Sequence, residues 1–180
     1  ITLHLNTLGT RENLKDYKNT LSKYFNDNKN LLSDDSVNKI NSNPLRILDS
    51  KNIEDKSIIE KCPKLIELIS KSDLNLYEEI KNCLNDLDID IYQDPNLVRG
   101  LDYYCHTVFE FKTDDIGSQD TLIGGGRYNG LIKTLGGKNI PGVGWAGGIE
   151  RIMLLMKDLV SNEENIHLAI QDPTYKKYAL

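Results

Sequence analysis

The strongest candidate for chemistry in this chain is an arginine that stands shortly before two tyrosines. Arg99 precedes Tyr103 and Tyr104 in the run LVRGLDYY, which is otherwise apolar enough to be buried. A buried guanidinium is costly unless it meets an anion, and a buried tyrosine hydroxyl needs a hydrogen-bond partner. The run therefore predicts a pocket that holds a negatively charged group beside a small polar one. These residues alone leave open a structural arginine that pairs with Asp94 or Asp102 beside two core tyrosines.

A second candidate is the glycine run at residues 124–126, which Arg127 and Tyr128 follow at once. Consecutive glycines let the backbone come very close to a ligand, or permit positive φ angles. A flexible hairpin turn is the simpler alternative for the glycines taken alone. Apolar pairs at residues 122–123 and 131–132 bracket the segment tightly, which favours a binding segment over a loose turn.

The third candidate is the segment GVGWAGGIER at residues 142–151, which contains the pattern GxGxxG. A dinucleotide-binding fingerprint directly follows a strand, whereas Pro141 and a glycine-rich turn precede this segment, so we reject a dinucleotide fold. We predict instead a glycine-lined strand on which a flat ligand can lie. The helix that follows carries Glu150 and Arg151 in its first turn, and this arginine can stack on an aromatic ring or meet phosphate.

All three segments combine glycine with arginine. Positive charge, hydrogen-bond donors and close backbone approach are what a triphosphate site requires. The Walker pattern GxxxxGK[ST] does not occur in the chain, so these segments predict an ATP site of a different fold. His4, His106 and His167 are isolated in the sequence and form no triad or metal-ligand spacing, and we expect no metal site.

Composition places the chain among globular proteins of one or two domains. Its 180 residues are 39% hydrophobic and 27% charged, and no apolar run approaches the length of a membrane helix. The net charge of −5 argues against broad, non-specific binding of nucleic acid. Three widely spaced cysteines without a CxxC pattern favour a reducing compartment. Because the chain begins with Ile1, in a strand-like run without a signal peptide, we expect a piece of a longer protein.

The chain divides into a glycine-poor part with helical spacing and a glycine-rich part with strand-like runs, which together predict an α+β fold. We predict a strand at residues 1–8, then glycine-poor helices over residues 10–88. The expected helix starts are Thr10, Ser33 and Ser72, and apolar spacing puts one face of the first helix in the core. The predicted buried face of this helix consists of Leu14, Tyr17, Leu21, Tyr24 and Phe25.

Residues 89–150 hold twelve of the thirteen glycines and most of the strand-like runs. We predict strands at residues 89–91 and 107–111, and a glycine-rich strand that leads into a helix from residue 149 to residue 160. A polar linker and the first strand of a further domain follow. The expected architecture is a β-rich core that a helical insertion interrupts.

The three segments, in this order, resemble the histidyl-tRNA synthetases of bacteria. Residues 97–104 resemble the first histidine-specific signature of that family, residues 125–131 resemble the second, and residues 144–151 resemble motif 3 of class II synthetases. Residues 3–9 and 43–52 are similar to the sequences of the family's catalytic-core strand and insertion domain. The paired signatures are specific to the family, whereas motif 3 alone would indicate only class II.

The resemblance implies a fold and an activity. The family's catalytic domain is an antiparallel sheet flanked by helices, and it joins L-histidine to ATP as histidyl-adenylate before transfer to tRNA(His). The resemblance places Arg99 at the α-phosphate and the histidine carboxylate, and Arg151 on ATP. It places Tyr103, Tyr104 and Tyr128 around histidine, with Gly125 and Gly126 lining the pocket. Magnesium would accompany ATP, and no tightly bound cofactor is expected.

The resemblance also implies how this chain relates to the complete family. It gives a catalytic-core strand at residues 1–8, a helical insertion at 9–88, catalytic core at 89–161, and a linker with the start of an anticodon-binding domain at 162–180. Motifs 1 and 2 have no counterpart in the sequence, so we expect the chain alone to be inactive. The full-length protein would be a cytoplasmic homodimer that does not enter membranes.

Two other interpretations stay open at this stage. One is an inactive, synthetase-like regulatory domain that senses histidine or tRNA. A pure binder has no need for an arginine at the reacting phosphate, so the presence of Arg99 favours the enzyme. The other is a helical interaction module, for which residues 10–88 would be sufficient.

Overall fold

A five-stranded sheet forms the centre of the computed structural model, which describes residues 1–101, 103–117 and 120–156. Its strands, in spatial order, are β2, β1, β3, β4 and β5. They span Thr2–Thr7 (β1), Ile91–Gln93 (β2), Cys105–Lys112 (β3), Thr121–Arg127 (β4) and Val143–Gly147 (β5). The pairs β1–β3, β3–β4 and β4–β5 are antiparallel, and the edge strand β2 is parallel to β1. The predicted α+β class is confirmed, with a sheet that is mixed at one edge.

In the described part of the chain, six helices and three short 3₁₀ turns accompany the sheet. The helices span Arg11–Asp27 (α1), Asp34–Lys39 (α2), Ile53–Glu60 (α3), Lys71–Asp86 (α4), Leu131–Thr134 (α5) and Ile149–Leu155 (α6). The 3₁₀ turns span Lys29–Leu31, Pro44–Ile47 and Leu65–Glu67. The helical character predicted for residues 10–88 is confirmed. The predicted linker and strand after residue 160, and the last turn of the predicted final helix, lie outside the described residues.

Helix α1 begins where the sequence predicted. The Thr10 side chain accepts a hydrogen bond from the main-chain N–H of Asn13, while the Asn13 side chain accepts one from the main-chain N–H of Thr10. This reciprocal cap satisfies two of the N–H groups that a helix start leaves without partners. The buried residues of the helix are Leu14, Tyr17, Leu21 and Phe25, all on the predicted face.

Two predicted boundaries need correction. Helix α4 is capped by Ser70 and not by Ser72, because Ser70 has the extended backbone of a cap and its side chain accepts from the N–H of Asp73. Ser72 already lies in the first turn of the helix. The following strand begins at Ile91 and not at residue 89, because the chain leaves α4 through Asp88 with a φ of 55°.

The first helices and the sheet share one buried apolar cluster. It joins residues of α1 and α3 to Leu97, Tyr104 and Val108. Because side chains alternate along a strand, Phe109 points to the other face, where it lines an open groove with Ile80 of α4 and Val143. Helices therefore lie on both faces of the sheet, and the run that contains Arg99 packs on the face of α1.

A buried carboxylate joins α2 to α3. Asp55 is fully buried and accepts four hydrogen bonds, two from Ser33 and one each from Ser36 and Ser50, over distances of 2.5 to 2.9 Å. Burial alone would raise the pKa of Asp55, but the hydrogen bonds from these serines outweigh it and lower the pKa below its ordinary value. The ionised carboxylate therefore fastens the loop before α3 to the start of α2.

Candidate active site

One face of the sheet carries a strip without bulky side chains. The register pairs Gly124 with Ala146 and Gly126 with Gly144, and alternate residues of a strand share a face. We call these four residues the glycine strip. The three glycines at 124–126 lie buried inside β4, so a flexible hairpin turn is the wrong interpretation of that segment.

Arg99 lies directly over the glycine strip. A Cβ atom added to Gly124 would stand 2.6 Å from Nη1 and 3.0 Å from Nη2 of Arg99, closer than real Cβ contacts allow. The absence of a side chain at Gly124 therefore creates the space that the guanidinium fills. The Nε–H of Arg99 is buried and has no hydrogen-bond partner among the described residues.

The carboxylate that meets Arg99 is that of Glu110, through a hydrogen bond from Nη1 to Oε1. The register pairs Glu110 with Gly124, which brings the carboxylate beside the guanidinium. The expected partner Asp94 instead accepts a hydrogen bond of 3.0 Å from Nδ1 of His4. The alternative of a pair with Asp94 is therefore wrong, because the carboxylate that meets Arg99 lies eleven residues along the chain on the next strand, β3. Asp102, the other candidate, lies outside the described residues.

Three tyrosines gather beside Arg99. The ring centroids of Tyr103 and Tyr104 are 4.5 Å apart. The ring centroid of Tyr128 lies 5.7 Å from that of Tyr103 and 6.2 Å from that of Tyr104. The guanidinium carbon of Arg99 lies 5.7 Å from the centre of the Tyr104 ring, within the range of a cation–π contact. The structure thus brings together the arginine and all three tyrosines that the sequence singled out.

Glycines make room for these rings. A Cβ on Gly126 would stand 2.9 Å from the Tyr104 ring, and one on Gly142 would stand 2.5 Å from the Tyr128 ring. A Cβ on Gly144 would stand 2.8 Å from the Tyr128 hydroxyl. The first two glycines of the GxGxxG pattern, Gly142 and Gly144, therefore lie against Tyr128, at the start of a strand that leads into a short helix as predicted.

The Tyr103 hydroxyl is kept protonated near neutral pH. The largest cause that raises the pKa of Tyr103 is its hydrogen bond with Tyr104, followed by burial, and these outweigh the lowering effect of Arg99. A protonated hydroxyl can both donate and accept a hydrogen bond. The Tyr103 hydroxyl can therefore donate to a neutral ring nitrogen or accept from a ring N–H.

Two predicted site residues are placed differently from the rest. A Cβ on Gly125 would meet the carbonyl of Gly144 and the side chains of Phe109 and Trp145, so this position faces away from the tyrosines. Arg151 lies in the first turn of α6, and its Nη1 donates a hydrogen bond of 2.6 Å to the carbonyl of Thr121. Arg151 therefore meets the sheet at Thr121, the first residue of β4, and not at the tyrosines.

Glu110 and Thr121 are members of the site that the sequence analysis missed, and Gly124 belongs to the glycine run that it singled out but was not expected to line the pocket. The Thr121 hydroxyl donates a hydrogen bond of 3.0 Å to Oε2 of Glu110, the carboxylate that also meets Arg99. A signal for Glu110 was present, because a charged residue in the middle of an apolar strand requires a partner. Nothing in local spacing could reveal the contacts of Thr121 or Gly124.

His4 and His106 take no part in this cluster, and His167 lies outside the described residues. His4 pairs with Asp94, and Nδ1 of His106 lies 3.5 Å from a carboxylate oxygen of Asp73. Burial is the largest cause that lowers the pKa of His106, and it outweighs the raising effect of Asp73. Within the described ranges, no group of three or more potential metal ligands occurs, and no helix is long and apolar enough to cross a membrane.

Comparison with known proteins connects this geometry to a family. The family model described as histidyl-tRNA synthetase matches residues 17–152, more than half of the chain. The chain belongs to the histidyl-tRNA synthetase family. The match includes Arg99, the tyrosines and the glycine strip, so all three segments that the sequence singled out lie within it.

Members of the synthetase family resemble the chain over nearly its whole length. A histidine–tRNA ligase of Wolbachia pipientis wMel is 46% identical over 180 residues, which are 100% of this chain and 44% of that protein. One from Hydrogenovibrio crunogenus is 46% identical over 164 residues, 91% of this chain and 38% of that protein. The structure of apo Staphylococcus aureus histidyl-tRNA synthetase aligns with a TM-score of 0.65 at 33% identity, over 99% of this chain and 45% of that one. The chain thus spans less than half the length of these relatives.

Proposed function

We propose that the chain forms part of a histidine–tRNA ligase, which activates L-histidine with ATP and transfers the histidyl group to tRNA(His). The observation that carries this proposal is the gathering of Arg99, Tyr103, Tyr104 and Tyr128 around glycines on one face of the sheet. It combines a cation for a phosphate or carboxylate with hydroxyls for a small polar ring. Membership in the synthetase family supports the same chemistry.

In this proposal the tyrosines recognise histidine. Tyr104 and Tyr128 hold the imidazole through their hydroxyls, and Tyr103 completes the pocket. Gly126 lines it, since the missing side chain leaves the Tyr104 ring in place. Gly125 contributes only its main chain, because its Cβ position faces the other side of the sheet.

The arginines act on ATP, which enters as its magnesium complex. Arg99 stabilises the negative charge that grows on the α-phosphate oxygens when the histidine carboxylate attacks. Its buried Nε–H has no partner in the described part of the chain, and a bound phosphate or carboxylate oxygen would satisfy it. Arg151, at the end of β4, binds the nucleotide farther from the tyrosines.

The organisation of the whole protein follows from the same proposal. Residues 1–8 and 89–161 belong to the catalytic core, residues 9–88 form a helical insertion that contacts tRNA, and residues 162–180 lead to an anticodon-binding domain. Because motifs 1 and 2 supply further contacts in the family, the chain alone is inactive. The complete protein acts as a cytoplasmic homodimer.

Amino-acid-dependent exchange of pyrophosphate into ATP tests the proposal. The assay is run with each of the twenty amino acids on the full natural polypeptide that contains these residues, on Arg99→Ala, and on Arg11→Ala as a matched control. We expect exchange with histidine alone, a loss of several orders of magnitude in Arg99→Ala, and wild-type rates in the control. Histidine binding without exchange in the wild-type protein would favour the regulatory alternative instead.

A further inference from the structure

The two arginines assigned to ATP are joined by one chain of hydrogen bonds across the sheet. Arg99 donates from Nη1 to Oε1 of Glu110, and Thr121 donates its hydroxyl to Oε2 of the same carboxylate over 3.0 Å. The carbonyl of Thr121 accepts a hydrogen bond of 2.6 Å from Nη1 of Arg151. Glu110 of β3 and Thr121 of the neighbouring strand β4 therefore connect the two guanidinium groups.

Glu110 has little freedom to move. Its side chain is 13% exposed, one oxygen meets Arg99, and the other meets Thr121 and lies 3.4 Å from Nζ of Lys112. A hydrogen bond between a guanidinium and a carboxylate is strong and directional. The carboxylate therefore holds the guanidinium at Nη1 and leaves the Nε–H, which has no partner among the described residues, for a ligand.

Gly124 lies beneath the Arg99 guanidinium and leaves space for it. The guanidinium lies within 3.1 Å of the position that a Cβ of Gly124 would occupy, so the backbone forms the floor on which it rests. Glu110 beside it and the strand beneath it therefore hold the guanidinium of Arg99 over the sheet. A negative carboxylate so close to Arg99 reduces the net charge of the site, so its contribution is orientation and not attraction of ATP.

We propose that Glu110, held by Thr121, is a positioning residue that fixes the Arg99 guanidinium for adenylate formation. It acts through Arg99 and does not itself touch histidine or ATP. This inference rests on the proposed function, because it takes Arg99 to be the group at the reacting phosphate.

A double-mutant cycle in the full natural polypeptide tests the inference. Values of kcat and KM for histidine-dependent pyrophosphate exchange are measured for wild type, Glu110→Gln, Arg99→Ala and the double variant. Glu60→Gln, an exposed glutamate on α3, is the control. We expect Glu110→Gln to lower kcat by ~10- to 100-fold with little change in the KM for histidine. The double variant should be no slower than Arg99→Ala, because residues that act as a unit are non-additive.

The outcomes separate this inference from the function on which it rests. A wild-type protein without exchange would refute the proposed function and this inference with it. With an active wild type, a double variant whose losses multiply would refute the inference alone, since Glu110 would then act independently of Arg99. Thermal unfolding shows whether Glu110→Gln folds. If it does not fold, Thr121→Val tests the inference in its place. A kcat of Thr121→Val within about twofold of wild type would overturn the role of Glu110 and Thr121.

Discussion

Replacement of Gly124 by alanine is the most direct test of how the glycine strip serves the site. The new Cβ would stand 2.6 Å from Nη1 and 3.1 Å from Cζ of Arg99. These atoms form the end of a long, flexible side chain, so the guanidinium can move without displacing the backbone. We therefore expect Gly124→Ala to fold and to lose activity.

The magnitude follows from the distance that Arg99 must move. An ordinary contact begins at 3.4 Å, so Nη1 must retreat from 2.6 Å by about 0.8 Å. A displacement of about 1 Å in a group that stabilises the transition state can cost ~100-fold in rate. That loss corresponds to about 2.7 kcal/mol of transition-state stabilisation.

Gly125→Ala provides the contrast because its clash is with backbone. A Cβ there would stand 2.4 Å from the carbonyl oxygen of Gly144, on the neighbouring strand, so β4 and β5 must separate. Overpacking of this kind costs ~1–3 kcal/mol of stability. We expect a lower temperature of unfolding for Gly125→Ala than for Gly124→Ala.

Pyrophosphate exchange and thermal unfolding, measured on both variants in the full natural polypeptide, check this pair of expectations. The reasoning predicts that Gly124→Ala loses kcat while its unfolding temperature stays near that of wild type. Wild-type kcat in Gly124→Ala would refute the idea that the glycine seats Arg99. Equal loss of stability in both variants would refute the distinction between a side-chain clash and a backbone clash.

Three further predictions concern the tyrosine pocket and the fold. Tyr128→Phe should raise the KM for histidine by ~10-fold with a smaller effect on the KM for ATP, because it removes one hydroxyl from the tyrosine pocket. An equal rise in the two KM values would contradict a role of Tyr128 in binding histidine. The stabilising effect of the Asp55 carboxylate should be present above its ordinary pKa of 3.8 and lost as pH falls through its lower folded pKa. Denaturant unfolding from pH 7 to pH 3 should show this loss in wild type and a flatter profile in Asp55→Asn, and parallel profiles would count against it. Thr10→Ala should lower the free energy of unfolding by about 1 kcal/mol through loss of the cap of α1. Thr20→Ala, inside the same helix, is the control, and equal effects of the two substitutions would reject the cap.

The sequence alone determined the features that depend on neighbouring residues. The cap at Thr10 and the buried face of α1 follow from residues within one or two turns, which is why both were predicted correctly. The α+β class followed from the change between glycine-poor helical spacing and glycine-rich strands. Arg99, Tyr103 and Tyr104 were found because costly groups in an apolar run require partners.

Tertiary structure decided what these groups contact. The partner of Arg99 is Glu110 and not Asp94, because the register between β3 and β4 brings Glu110 opposite Gly124. Alternation along β4 puts Gly124 and Gly125 on opposite faces of the sheet, although they are adjacent in sequence. Register depends on pairing between distant segments, and a shift of one residue would turn every side chain to the other face. Local spacing therefore identified the chemical groups, and only strand pairing could place them around one site.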